Sequence, residues 1–316
     1  MIQEFLLIFL GVGGLIYCSD IIVNAATRMA KRLGISKMVI GLTIVSIGTS
    51  LPEIATNLGA GVAIRMGLTS SGIAVGNIVG SQICQITLIL GIVGLLATLR
   101  PDGKALIRDG IGMIIAILAL FIASWDNHIS QLEGAILSLM YIVYLAYLLY
   151  STKPPKDTVK QTSELPNQLF RDIALVVFGC IFLIFSSALV VNNGVAIAKA
   201  LNVPDYMIGL FIGLGTSLPE LAISVAGIRR QALEISLGNL IGSNITDPLL
   251  SLGLGASISG FAVSDKVLTI DIPILLVITL TALFMLNNKG HLGRFQALFL
   301  VAFYLLFMGT SVFGYI

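Results

Sequence analysis

The chain has 316 residues, 57% of them hydrophobic and 11% charged, with a mean hydropathy of +1.01. A soluble domain carries about 25% charged residues, so this chain cannot cover a water-facing surface and reads as an integral membrane protein. A net charge of +2 gives no reason to expect a nucleic-acid partner. In chain order, ten segments approach the roughly 20 apolar residues that cross a bilayer. They are 4–27, 38–63, 71–98, 107–125, 131–150, 171–198, 204–228, 235–260, 267–287 and 294–314. The first lacks a basic leader and a small-residue cleavage site, so it is a membrane helix rather than a cleaved signal. Between the fifth and sixth lies a polar linker, 151–170, with three prolines. Cys18, Cys84 and Cys180 lie in apolar segments without metal-ligand spacing and read as reduced packing residues. Trp125, His128 and Tyr150 read as interface anchors.

Lysine and arginine set the orientation. With the N-terminus outside, only Arg65, Lys199 and Lys266 of the 18 basic residues lie outside. Both termini are therefore expected to be extracellular and the linker cytoplasmic, in a multi-pass protein of the cell membrane.

The two halves repeat. VIGLTIVSIGTSLPE at 39–53 matches MIGLFIGLGTSLPE at 207–220, with one residue fewer in the second copy. VGNIVGSQICQITLILG at 75–91 matches LGNLIGSNITDPLLSLG at 237–253. Five spans per half is an odd number, so the second half must enter the membrane from the opposite side. The expected fold is an all-α polytopic membrane protein: ten transmembrane helices as two inverted five-helix repeats, 1–150 and 171–316, joined by the linker. Secondary transporters recur to this plan, with the site near the midplane.

GTSLPE carries the chemistry. Pro52 cannot donate to the carbonyl of Gly48, nor Pro219 to that of Gly215. Thr49, Ser50, Thr216 and Ser217 add hydroxyls beside these breaks, and Glu53 and Glu220 add carboxylates. Carbonyl, hydroxyl and carboxylate oxygens are the ligands of hard cations. In the second motif Ser81 and Gln85 share a helix face, as do Ser243 and Asp247. Proline in an apolar helix is usually only a kink, and small-residue motifs usually only packing. Two repeat-related buried acids, each beside a break, weigh against that plainer reading. Asp20 has Ala188 at the matching place, and could pair with a helix end or a nearby base.

At these residues the chain resembles the calcium/cation antiporter superfamily, and within it the prokaryotic sodium/calcium exchangers. The resemblance covers the whole chain. It implies that spans 2, 3, 7 and 8 surround the ions, with Thr49, Ser50, Glu53, Ser81, Gln85, Thr216, Ser217, Glu220, Ser243 and Asp247 contributing. It further implies one Ca²⁺ held mainly by Glu53 and Glu220, with carbonyls near Ser46 and Gly213. Na⁺ would take flanking positions, and spans 1 and 6 would slide across the core. The family typically has Asn where this chain has Gln85, and alanine where it has Gly213. Glu53 to Ser81 is also longer than Glu220 to Ser243.

The expected function is secondary-active exchange of Na⁺ for Ca²⁺ by alternating access, electrogenic at the three Na⁺ per Ca²⁺ that the resemblance implies. The alternative on the same fold is Ca²⁺/H⁺ exchange, since a buried carboxylate can trade a proton for a cation. A channel fits inverted repeats poorly. No H-E-x-x-H, G-x-S-x-G or Cys/His pair suggests an enzyme. No cofactor and no obligate protein partner is expected; the ions and the bilayer are the partners.

Overall fold

The computed structural model describes residues 2–68, 72–152, 165–201, 214–288 and 290–312. It is mostly helical. Among the described residues six helices are long and apolar enough to cross a bilayer: Ile2–Leu33, Ala74–Leu96, Gly103–Ala123, Gln131–Ser151, Asn167–Ala200 and Val267–Asn288. A seventh crossing results if Lys37–Thr49 and Leu51–Arg65, bent by 47° at their junction, form one span. Shorter helices follow at Leu218–Arg229, Leu233–Thr246, Leu252–Ser259 and Arg294–Val312. The predicted span 204–228 falls in part on 202–213, outside the described residues, as does 153–164 of the predicted linker.

Helix ends follow local chemistry. Ile2–Leu33 stops at Gly34, whose φ of +64° is open to glycine, and the Ile35 amide returns to the Ala30 carbonyl. Gln131–Ser151 starts with a reciprocal cap. The Ser130 amide donates to the Glu133 carboxylate at 2.7 Å, and the Glu133 amide to Ser130 Oγ at 3.3 Å. One helix begins at Leu165, six residues earlier than the predicted sixth span. Pro166 falls in its first turn, where a missing amide hydrogen costs little.

The helices gather into two compact units. One comprises Met1–Thr49 and Leu148–Leu240, the other Ser50–Tyr147 and Ile241–Ile316, so each draws on both halves of the chain.

In the first unit, Ile2–Leu33 and Leu165–Ala200 pack along each other. Ile22, Val23, Ala25, Ala26 and Met29 meet Val176, Cys180, Leu183 and Ile223. Lipid is as apolar as these side chains, so close van der Waals fit, helped by the alanines, holds such a pair together. The opposite faces expose Phe9, Phe178, Phe182 and Phe185, a surface that suits acyl chains. Gly41 and Gly238 let two helices touch backbone to backbone: a Cβ on Gly238 would lie 2.4 Å from the Met38 carbonyl oxygen. Asp172, fully buried, accepts from Arg28 Nε at 2.9 Å and from Arg32 Nη1 at 2.5 Å. Asp20 accepts from Arg230 at 2.8 Å and lies 3.3 Å from Arg229. That pairing with nearby bases is one of the roles expected for Asp20. The Asp20 carboxylate holds the exposed Arg230 guanidinium above its ordinary range.

In the second unit Leu252–Ser259 packs on Leu51–Arg65, Arg294–Val312 on Leu90–Leu96, and Ile272–Asn288 on Gly103–Ala123. A two-stranded antiparallel ribbon, β1 (His128–Ile129) with β2 (Phe261–Ala262), is an addition to the all-helical expectation. It places His128 opposite Ala262. Two-residue strands carry no periodicity that a sequence could reveal.

Candidate functional site

The two GTSLPE copies fold alike. Each helix breaks at the serine, with φ and ψ of −81° and 3° at Ser50 and −93° and 5° at Ser217. A new helix starts at Leu51 or Leu218, with proline in its first two positions and Glu53 or Glu220 in its first turn. Proline is tolerated there because the first turn has no intrahelical acceptor for its amide. The positive end of each new helix favours the carboxylate beside it. Glu53 is 2% exposed and Glu220 0%, so both acids are inside the protein rather than in lipid.

The first unit holds one set of predicted residues. Ser46 and Thr49 are buried on the helix before the first break. Ser46 Oγ donates to the Leu42 carbonyl, and Thr49 Oγ1 lies within hydrogen-bond distance of the Ser46 carbonyl and, at 3.0 Å, of Asn239 Oδ1. Thr216 and Ser217 flank the second break beside Glu220. The Gly215 carbonyl, which Pro219 leaves without its helical donor, accepts instead from Ser187 Oγ at 3.0 Å. Sequence reasoning missed Ser187, whose partner is 28 residues away. Gly213 lies outside the described residues.

The second unit holds the rest. Ser50 and Glu53 begin its first helix, and the Ser50 hydroxyl lies beside the Asp247 carboxylate. Gln85 and Asp247, matched in the repeat, each open a π-helical turn, Gln85–Ile89 and Asp247–Ser251. Such turns rotate side chains out of α register and recur at functional sites. The two matched residues stand side by side at the start of these turns. Gln85 Nε2 donates to Ser81 Oγ at 3.2 Å and reaches Asp247 Oδ2 at 3.5 Å; Asn244 Nδ2 donates to Gln85 Oε1 at 2.8 Å. Gln82 Nε2 donates to the Asn244 carbonyl at 2.9 Å. Ser81, Gln85, Ser243 and Asp247 are all buried. Asn57 Nδ2 donates to Ser251 Oγ at 2.8 Å, joining the GTSLPE helix to the second π turn. Asn57, Gln82 and Asn244 are additions to the predicted set. Their signal was available: Asn57 stands one turn after Glu53, and Gln82 and Asn244 each follow a predicted serine.

In each unit carboxylate, hydroxyl and amide groups are buried beside a helix break, and oxygen ligands of these kinds suit hard cations. The model of the sodium/calcium exchanger protein family matches residues 4–150 and 172–313. This chain belongs to the sodium/calcium exchanger family. It is 30% identical to the sodium/calcium exchanger MaX1 of Methanosarcina acetivorans, over 96% of this chain and 97% of that one. It is 32% identical to the inner membrane protein YrbG of Escherichia coli, over 87% and 86% of the two chains. A solved structure of the sodium-calcium exchanger NCX_Mj superposes with a TM-score of 0.83 at 29% identity, covering 98% of this chain and 99% of that one. Exchanger family membership makes this a membrane transporter of cations rather than an enzyme.

Proposed function

We propose that this exchanger carries Ca²⁺ against Na⁺ by alternating access, with net charge moved in each cycle. The observation that carries the reading is the paired GTSLPE break, which delivers a buried glutamate twice with the same local geometry. Glu53 and Glu220 together balance one Ca²⁺ or most of the charge of several Na⁺. Competition for the same two carboxylates makes loading exclusive, the minimum an antiporter needs. Thr49, Ser50, Thr216 and Ser217 supply hydroxyls, and the carbonyls near Ser46 and Gly213 supply further oxygen. Ser81, Gln85, Ser243 and Asp247 complete the set on the other pair of helices. Ten spans in two inverted halves, with termini outside, fit the repeat and the distribution of lysine and arginine. If three Na⁺ move per Ca²⁺, the surplus charge couples to voltage by about 2.3 kcal/mol per 100 mV.

Proton coupling is the second reading, and one observation favours it. Gln85 Oε1 accepts from Asn244 and its nitrogen faces Ser81 and Asp247, so both ends of this amide are engaged by protein groups. The test is ⁴⁵Ca²⁺ uptake into proteoliposomes, driven by an outward Na⁺ gradient or, without Na⁺, by an outward H⁺ gradient. Uptake that requires Na⁺ and responds to an imposed potential is expected. Uptake driven only by H⁺ would replace Na⁺ by H⁺ as counter-ion.

A further inference from the structure

The second unit also carries a groove of about 780 Å³ between the helices Gly103–Ala123 and Gln131–Ser151. Its volume is within the roughly 300–1,000 Å³ range of small-ligand sites. The walls are aliphatic: Ile111, Ile115, Ile136, Leu139 and Val143 line it, and each is about half exposed. The floor is Leu249, on the π turn that begins with Asp247. One end is different in kind. Lys104 and Arg108, one turn apart, line it together with Tyr144. The Tyr144 hydroxyl is buried and makes no hydrogen bond among the described residues.

The charges at that end can be counted. Asp102 accepts from the Lys104 amide as the helix cap. Arg108 uses Nε and Nη2 on the two oxygens of buried Asp109, at 2.6 and 2.8 Å. The Lys104 ammonium is exposed at the mouth, and Arg108 Nη1 stands outside the Asp109 pair. An apolar trough ending in a cation and a buried hydroxyl without a partner complements one chemistry: an acyl chain joined through polar ester groups to an anion.

We propose that this groove binds an anionic phospholipid from the bilayer. One acyl chain lies along the aliphatic walls, an ester oxygen accepts from Tyr144, and the phosphate meets Lys104. The inference is independent of which counter-ion the exchanger uses.

Native mass spectrometry of the full chain in detergent tests it, with equal phosphatidylglycerol and phosphatidylcholine offered together. The wild type is expected to retain phosphatidylglycerol preferentially. Lys104→Gln should cut that preference about fivefold, the usual effect of one basic residue near an anionic membrane surface. Ile115→Trp, which fills the trough, should reduce retention of both lipids. Arg108 is left intact, because its loss would strand buried Asp109. Equal retention of the two lipids by the wild type, or an unchanged preference in Lys104→Gln, would overturn the proposal. Displacement of phosphatidylglycerol by millimolar inorganic phosphate would do the same, since it would show a site for a free anion.

Discussion

Glu53 and Glu220 are buried acids in a chain that lipid surrounds, and each stands one turn after a break. Glu53→Gln and Glu220→Gln keep size and shape while removing the charge. Each is expected to abolish ⁴⁵Ca²⁺ transport and leave the gel-filtration profile unchanged; transport surviving in either variant would refute the assignment. Ser187 has a different role. Its hydroxyl occupies the carbonyl that Pro219 orphans, so Ser187→Ala leaves a buried acceptor without a donor. The expected loss is about 1–3 kcal/mol, read as a lower thermal midpoint in detergent, with Ser187→Thr restoring most of it. A midpoint unmoved by the alanine would mean that water or another donor takes over.

Helix contacts distinguish glycines that the sequence presents alike. Gly238 touches the Met38 carbonyl across a helix crossing, whereas Gly59, within Leu51–Arg65, has nothing within 4 Å of where a Cβ would stand. Gly238→Val must push two helices apart, and overpacking of this kind costs about 1–3 kcal/mol. Gly59→Ala adds no clash and removes backbone freedom, so it should stabilise by about 0.5–1 kcal/mol. Thermal midpoints moving in opposite directions would support the crossing; a shared direction would count against it. The π turns at Gln85 and Asp247 belong to this level too. Gln85–Ile89 carries no helix breaker whereas Asp247–Ser251 includes Pro248, and only the packed structure shows both π turns and places Gln85 beside Asp247.

For the molecule as a whole, the distribution of basic residues makes a topological prediction. Cys18, Cys84 and Cys180 are all buried thiols outside any disulfide, so an introduced cysteine can be read against a quiet background. A membrane-impermeant maleimide added to intact cells should label a cysteine appended after Ile316 and should miss Thr162→Cys until the membrane is permeabilised. The opposite pattern would invert the orientation. The two compact units also qualify the duplication. Repeat halves are a property of the chain, whereas each packed unit takes helices from both.

The amino-acid sequence alone determined the membrane class, the family and most of the acidic, hydroxyl and amide residues of the candidate site. Those features depend on composition and local spacing: a proline-glutamate motif repeated inside two apolar segments marks a helix break and an acid that lipid would reject. The hydrogen-bond partners of Ser187, Asn57, Gln82 and Asn244, the ion pairs at Asp172 and Asp109, and the strand pair at His128 needed the tertiary structure. Their partners are either distant in the chain or, like Arg108 beside Asp109, ambiguous until burial is known. A hydrogen bond across 28 or 194 residues leaves no periodic trace in either segment, because packing rather than local propensity selects it.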